Sequence, residues 1–297
     1  MGSFFEAFVQ YKFLQNALLG GLIIGSVCSL FSPFVVLKRM AFIGEGIGHA
    51  AFGGIALALL LISDPSEHEF LLTAITMVYC LAVAFLIAYS SRTKKISEDS
   101  AIGIFLAVSM ALGLILLSTR KAYTAEILSY LFGSILAISR NDILIIGLFG
   151  ALVLFFILGF YKELVFFTFD ESSAKASGIP TGFLHYMLIA LLAILIVAAV
   201  KLVGVILVTA YLIIPGATAK LFAKKFSHLS VGALSIGILT SFLGLFASYK
   251  LNFPSGASIV VVQFLLFVFA LALSKFRGKS SVKNLKERAD EEGVHSQ

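Results

Sequence analysis

Long apolar runs, separated by short polar stretches, fill most of the chain. The runs are about 20 residues long, which is the length of an α-helix that crosses the hydrocarbon core of a bilayer. Strands of a membrane β-barrel would instead alternate apolar and polar positions over about ten residues. The gaps between the runs predict nine spans, at 13–37, 45–62, 70–90, 101–118, 142–161, 185–200, 202–215, 229–249 and 257–275. A count of eight stays open, because the division between the sixth and seventh spans at Lys201 is the weakest.

Composition supports the same fold class. Hydrophobic residues make up 60% of the 297 positions and charged residues only 13%, against about 25% charged residues in a typical soluble domain. The first run begins near Phe13 without a small-residue cleavage site, which favours a retained span over a removed signal peptide. We therefore expect an all-α polytopic helical bundle over 1–275. The residues 276–297 are charged and poor in hydrophobics, which predicts a disordered cytoplasmic tail.

The distribution of basic residues sets the expected orientation. A net charge of +6 might point to nucleic acid, but the charges lie in alternate loops of a membrane protein, so a nucleic-acid partner is not expected. The positive-inside rule places the C-terminus in the cytoplasm and, with nine spans, the N-terminus outside. The acidic loop at 63–69 then lies outside. The predicted inside segments hold Lys38, Arg39, Arg92, Lys94, Lys95, Lys162, Lys175, Lys220, Lys224, Lys225 and the basic residues of the tail.

Two ionisable side chains lie at the start of the second run, in RMAFIGEGIGHAAFGG (39–54). Glu45 and His49 are four residues apart and therefore share one helix face. Gly44 and Gly48 form a small-xxx-small pair that lets a neighbouring helix approach closely. Carboxylate and imidazole suit Zn²⁺, Mn²⁺ or Fe²⁺, and two ligands form an incomplete site that an ion can leave. An interfacial Glu45 with a structural His49 remains the alternative.

A proline marks the end of the seventh run, in LIIPGATAKLFAKKF (212–226). Proline lacks an N–H and breaks a helix interior, so we expect the chain to turn at Pro215 and Gly216. The following ATAKLFAKKF (217–226) is predicted to form a short basic helix. An ordinary positive-inside loop would explain the same lysines.

The sequence offers no energy source within the chain itself. No soluble domain remains outside the spans, and no GxxxxGK[ST] phosphate-binding loop occurs, so we do not expect nucleotide hydrolysis. No HExxH motif occurs either, which argues against an intramembrane zinc hydrolase. A stand-alone secondary metal-ion/proton transporter is the alternative function. Such carriers often contain repeated halves and intramembrane charge pairs, whereas here the halves differ and few charges besides Glu45 lie in the spans.

Six motifs in a fixed order point to a known family. Each is weak alone, but together they resemble the permease subunits of the bacterial ABC importers for zinc, manganese and iron, over nearly the whole chain up to Lys275. Many members carry Asp where this chain has Glu45, which keeps a carboxylate but leaves the metal preference open. The motifs are VVLKRMAFIGEGIGHAAFGG, SEDSAIGIFLAVSMALGLILLS, LSYLFGSILAIS, FDESSAKASGIP, VGVILVTAYLIIPGATAKLFA and NFPSGASIVVVQFLLF.

The resemblance implies a FecCD-like, type II importer permease in the bacterial cytoplasmic membrane, working by alternating access. It implies a homodimer in membrane lipid, a separate cytoplasmic ATP-binding subunit and an extracytoplasmic metal-binding protein. Glu45 and His49 of both copies would line the pathway and contact the transported metal, with a slight lean to zinc. The chain itself would be no enzyme and would hold no permanent cofactor. The implied ATPase-coupling segment consists of Pro215, Gly216, Ala217, Thr218, Ala219, Lys220, Leu221 and Phe222.

Overall fold

The part of the chain that the structure describes is built from α-helices. The computed structural model describes residues 10–62, 68–92, 96–119 and 138–294, with the side chains of Lys201 and of 276–294 excepted. Most of the acidic loop at 63–69 lies outside these ranges. So does nearly all of the segment at 128–138, which is too short to cross a membrane and is predicted to lie in the interface. The helices are α1 (Lys12–Leu37), α2 (Ala41–Leu61), α3 (Glu69–Arg92), α4 (Glu98–Ser118), α5 (Arg140–Gly159), α6 (Tyr161–Phe169), α7 (Glu171–Ala176), α8 (Thr181–Lys220), α9 (Phe226–Leu251) and α10 (Ser255–Val294).

The described residues contain nine segments long and apolar enough to cross a membrane. Seven of them lie in α1 to α5, α9 and the first half of α10, and the other two are Thr181–Val200 and Leu202–Lys220 within α8. This confirms the all-α polytopic bundle, and the chain is a multi-pass membrane protein. The boundary of the membrane domain at Lys275 and the nature of the tail beyond it stay predictions, while the backbone of α10 continues to Val294.

Helix α8 is a hairpin of two antiparallel arms. Gly204 interrupts its helical backbone with φ 78° and ψ 161°, a conformation that glycine adopts readily because it has no Cβ. Leu192 and Leu212 both come within 3.9 Å of the position that a Cβ on Gly44 would occupy. An unbroken helix would hold these two leucines about 30 Å apart. The chain therefore reverses near Lys201, where the sequence division was weakest.

One end of the bundle is defined by an ionic and an aromatic cluster. Lys38 Nζ lies 3.0 Å from Glu171 Oε2, and a guanidinium nitrogen of Arg92 lies 3.6 Å from Glu171 Oε1. The Phe226 ring lies 5.0 Å from the Phe34 ring, centroid to centroid. These contacts bring the loops that were predicted to lie inside to a common end, here called the Lys38 end.

The spans differ widely in how much of their surface the bundle buries. In α2, 78% of the span is buried, and in each arm of α8 72% is buried, whereas the spans in α4 and α5 are only 28% buried. Helix α2 packs against α3, α4 and α8. Helix α2 is therefore enclosed on most of its surface, although the face that carries Glu45 stays exposed.

The predicted helix break at Pro215 is wrong. Helix α8 runs through Pro215 to Lys220, and α9 begins at Phe226. No separate basic helix exists over 217–226; these residues are divided between the end of α8, a short turn and the first residue of α9. The physical reason is tertiary packing. Pro215 and Gly216 are buried, and the Gly216 N–H donates a hydrogen bond to Ser32 Oγ of α1 at 2.9 Å, which supports the backbone where proline weakens it.

Candidate functional site

Glu45 and His49 lie on one face of α2, as their spacing predicts. Glu45 is exposed and His49 is half-buried. His49 Nδ1 is buried and has no hydrogen-bond partner among the described residues. Because buried polar atoms are nearly always paired, this orphaned nitrogen distinguishes His49 from a satisfied structural histidine. The described residues of one copy of the chain therefore leave this nitrogen without its partner.

Glu45 lines a cavity of about 400 Å³ between α2 and α4. A second carboxylate, that of Asp99 in the first turn of α4, lines the same cavity. Sequence reasoning missed Asp99, although it lies in the SEDSAIGI motif that carries part of the resemblance. Both carboxylates are exposed to this opening, and their oxygens are suitable ligands for a divalent cation. The lining consists of Phe42, Glu45, Gly46, Asp99, Ile102, Gly103 and Leu106.

Glycines set the position of α2 between its neighbours. A Cβ on Gly46 would come within 2.7 Å of Ile102 Cγ2 on α4, and one on Gly48 within 2.9 Å of Val205 Cγ1 on α8. Both distances are too short for a real contact, so α4 and α8 approach α2 only because these positions lack side chains. The close approach predicted for the Gly44–Gly48 pair is present at Gly48, whereas the atoms nearest to a Cβ on Gly44 would lie at an ordinary 3.8–3.9 Å. The result is a tightly held helix whose Glu45 face remains open to the cavity.

The two predicted ligands from one copy of the chain would not complete a metal site. Within the described residues, no group of three or more His, Cys, Asp or Glu side chains could hold a metal ion. A closed zinc site usually has four protein ligands. Glu45 and His49 alone would therefore be an incomplete half-site, and their role as metal ligands stays a prediction.

Comparison with known proteins identifies the family. The ABC 3 transport family matches residues 10–274 of the chain. The chain belongs to the ABC 3 transport family. Membership confirms the resemblance to metal ABC transporter permeases, and it makes this chain a transport subunit. The stand-alone secondary transporter gains no support from any comparison.

Relatives of this ABC 3 transport family chain include manganese and iron systems. The manganese transport system membrane protein MntC of Halalkalibacterium halodurans is 35% identical over 93% of this chain and 92% of its own. An iron transport system membrane protein of Haemophilus influenzae is 35% identical, over 91% and 96%. The solved PsaBC from Streptococcus pneumoniae, in complex with Fab, is 36% identical over 90% and 94%, with a TM-score of 0.79. The names of these relatives lend no support to the lean towards zinc.

Most of the predicted coupling segment is not on the surface. Pro215, Gly216, Thr218 and Ala219 are buried, while Lys220 and Phe222 are exposed. A Cβ on Gly216 would meet Ser32 of α1, including its carbonyl oxygen at 3.0 Å. A substitution at Gly216 would therefore disturb helix packing before it could test docking of an ATPase. Ala217 and Leu221 are half-buried.

Helix α7 is the short surface helix at the Lys38 end, and sequence reasoning did not select it for coupling. Asp170 caps it by accepting a hydrogen bond from the Ser173 N–H at 2.9 Å. The Ser173 hydroxyl also donates to this carboxylate, and the two bonds hold the pKa of Asp170 below its usual value. Glu171, Ser172 and Lys175 are exposed. The FDESSAKASGIP motif, which contains this helix, was the available signal.

Proposed function

We propose that the chain is the permease subunit of an ATP-driven importer for a divalent transition metal, with Mn²⁺ as first candidate and Fe²⁺ as second. The observation that carries the proposal is the cavity shared by Glu45 and Asp99, in a chain of the ABC 3 transport family. Carboxylate oxygens suit Mn²⁺, and imidazole suits iron and zinc. The names of the relatives favour manganese and iron over zinc.

The half-site on α2 becomes a four-ligand site if two copies of the chain pair across a central pathway. Glu45 and His49 from each copy then supply two carboxylates and two imidazoles to the metal. Asp99 lies in the first turn of α4 at the Lys38 end, so an ion that leaves Glu45 towards this end meets a second carboxylate. Alternating access would open the half-sites to each side of the membrane in turn.

The Lys38 end faces the cytoplasm in this proposal, because its loops hold most of the basic residues. An ATP-binding subunit would dock against α7 and the turn between α8 and α9, where Lys220 and Phe222 are exposed. The buried residues from Pro215 to Ala219 would then pass movement into α8 rather than touch the ATPase. An extracytoplasmic metal-binding protein would deliver the ion at the opposite end, so the membrane is the bacterial cytoplasmic one.

Reconstitution tests the proposed function directly. Purified permease, its ATP-binding subunit and its metal-binding protein are placed in liposomes, and uptake of radioactive manganese is measured. We expect uptake only with all three components and ATP, since the chain lacks a nucleotide-binding loop. Uptake by the permease alone under a proton gradient would instead establish a secondary transporter.

Docking at the Lys38 end predicts different effects for two exposed phenylalanines. Phe222 is 41% exposed in the α8–α9 turn, and Phe253 is 60% exposed between α9 and α10 at the opposite end. Phe222→Asp should weaken binding of the ATP-binding subunit about tenfold, equivalent to about 1.4 kcal/mol, because it places a charge in an apolar contact. Phe253→Asp should leave this binding unchanged. Titration of the ATP-binding subunit against each detergent-solubilised variant measures the effect; equal binding by both would contradict docking at this turn.

A further inference from the structure

Glu171, the first residue of α7, joins three parts of the bundle. Its carboxylate accepts a hydrogen bond from Lys38 Nζ at 3.0 Å and lies 3.6 Å from a guanidinium nitrogen of Arg92. Lys38 follows the last residue of α1, and Arg92 ends α3. One carboxylate therefore connects the surface helix α7 to the ends of two spans.

Lys38 is held more firmly than a typical surface lysine. Its side chain is only 16% exposed. The Nζ atom lies 3.6 Å from the centroid of the Phe167 ring and 3.5 Å from the Phe167 carbonyl oxygen, and Phe167 is completely buried. The ammonium group thus has an aromatic face, a carbonyl and a carboxylate around it, all from α6 and α7. If α1 and α2 move and carry Lys38 with them, the contacts of its ammonium group will also displace α6 and α7.

The turn that carries Lys38 is short and well defined. Arg39 has φ 60°, a left-handed conformation that is uncommon for a residue other than glycine. The Met40 N–H donates to the Val35 carbonyl oxygen at 2.9 Å, and α2 begins at the next residue. A displacement of Lys38 is therefore passed to the start of α2 rather than absorbed by a loose loop.

Helix α2 carries the metal half-site close to this turn. Glu45 lies about one helical turn after the first residue of α2, and His49 about one turn further. A continuous path thus runs from α7 through Glu171 and Lys38 to the side chains that would hold the ion. Arg92 provides a second path, from Glu171 to α8, because its guanidinium lies 5.6 Å from the centroid of the Tyr186 ring on α8.

We propose that the Lys38–Glu171 pair is the link by which movement of α7 shifts α2 and opens or closes the Glu45–His49 site. This rests on the proposed function, in which α7 lies at the ATPase docking surface. Both side chains are positioning residues, which act through α2 and do not touch the metal. The Glu171 side chain is 44% exposed, and ion pairs with an exposed partner contribute little to stability. Loss of this pair should therefore change the coupling of ATP hydrolysis to transport more than it changes folding.

A double-mutant cycle on the reconstituted complex tests the link. Lys38→Met, Glu171→Gln and the double variant are compared by the manganese transported per ATP hydrolysed. Each single change should lower this ratio about tenfold while the complex still assembles and hydrolyses ATP. The double variant should be no worse than either single variant, because all three lose the same contact. Lys38→Arg keeps the positive charge, so this variant should transport nearly as much manganese per ATP hydrolysed as the wild type.

The controls and the reporter use other residues of the same region. Lys162→Met and Glu163→Gln on α6 remove one charge each outside the pair and should keep the wild-type ratio. Phe42→Cys, on the exposed face of α2 in the cavity, should be labelled by a thiol reagent at a rate that changes on ATP binding, and Glu171→Gln should abolish that change. The native Cys28 and Cys80 are buried and contribute little background.

Three results would overturn the link. Wild-type ratios in both single variants would show that the pair carries no coupling, and additive losses in the double variant would show that the two residues act separately. Failure of both single variants to assemble would assign the pair to folding. Absence of ATP-driven uptake in the wild-type complex would instead overturn the proposed function, so the two failures are distinguishable.

Discussion

Glu45→Ala and His49→Ala should each reduce manganese uptake at least about 100-fold, equivalent to about 2.7 kcal/mol or more of lost binding. In the proposed function the chain supplies a half-site, so each substitution would remove two of the four ligands once two copies pair. Neither side chain packs in the main core of the bundle, since Glu45 is exposed and His49 half-buried. Membrane insertion and binding of the ATP-binding subunit should therefore survive. Initial uptake rates in reconstituted vesicles, normalised to the amount of assembled complex, measure the effect.

Matched changes separate a ligand role from a general loss of charge or imidazole. Glu45→Asp keeps a carboxylate and should retain measurable uptake, although its shorter side chain changes the reach to the ion. His228→Ala removes an exposed imidazole at the start of α9 and should transport like the wild type. Near-normal uptake in both alanine variants at Glu45 and His49 would remove these residues from the pathway.

An intermediate loss is expected at Asp99. Asp99→Asn keeps the shape of the side chain but removes its charge from the cavity that it shares with Glu45. Asp99 is a single carboxylate beside the proposed site rather than one of the four ligands. Loss of the Asp99 charge should therefore slow the release of manganese towards the Lys38 end more than it weakens manganese binding. The maximal uptake rate at saturating manganese should fall as a result.

The spans could be predicted from sequence because the bilayer fixes their length and their apolar character. The shared face of Glu45 and His49 could be predicted as well, since it depends only on helical spacing within α2. Both inferences are local. Each needs the residues of one helix and the solvent around it, without the identity of the neighbouring helices.

The continuation of α8 through Pro215 could not be predicted in the same way. The proline rule is also local, but the group that supports α8 there is Ser32 Oγ, which accepts from Gly216 across 184 residues of sequence. The cavity beside Asp99 could not be predicted for the same reason, because it exists only where α2 and α4 pack together. Contacts between distant helices thus decide the features that sequence reasoning missed or placed wrongly.

Close glycine contacts are the strongest example of such a feature, and they predict a large effect on stability. A Cβ on Gly237 of α9 would overlap Ser29 of α1 and come within 2.7 Å of the Gly25 carbonyl oxygen. Gly237→Ala should therefore force α1 and α9 apart and destabilise the fold by about 1–3 kcal/mol, as overpacking does in other cores. This outweighs the roughly 0.5–1 kcal/mol that alanine normally gains over glycine within a helix.

Gly147 provides the matched control for Gly237. It also lies inside a span, in α5, but nothing lies within 4 Å of the position that its Cβ would occupy. Gly147→Ala should therefore leave the melting temperature of the detergent-solubilised protein unchanged or raise it slightly, whereas Gly237→Ala should lower it by several degrees. Equal melting temperatures would mean that α1 and α9 do not pack as closely as the structure has them.

Comparison of the glycine and Glu45 variants separates the scaffold from the site. Gly237 lies on α9, which is not among the helices that pack against α2. Gly237→Ala should therefore reduce the amount of folded complex while each folded complex still transports metal at nearly the wild-type rate. Glu45→Ala should do the reverse, with normal amounts of complex and almost no transport. If Gly237→Ala also abolished transport per folded complex, the packing of α1 against α9 would belong to the transport mechanism itself.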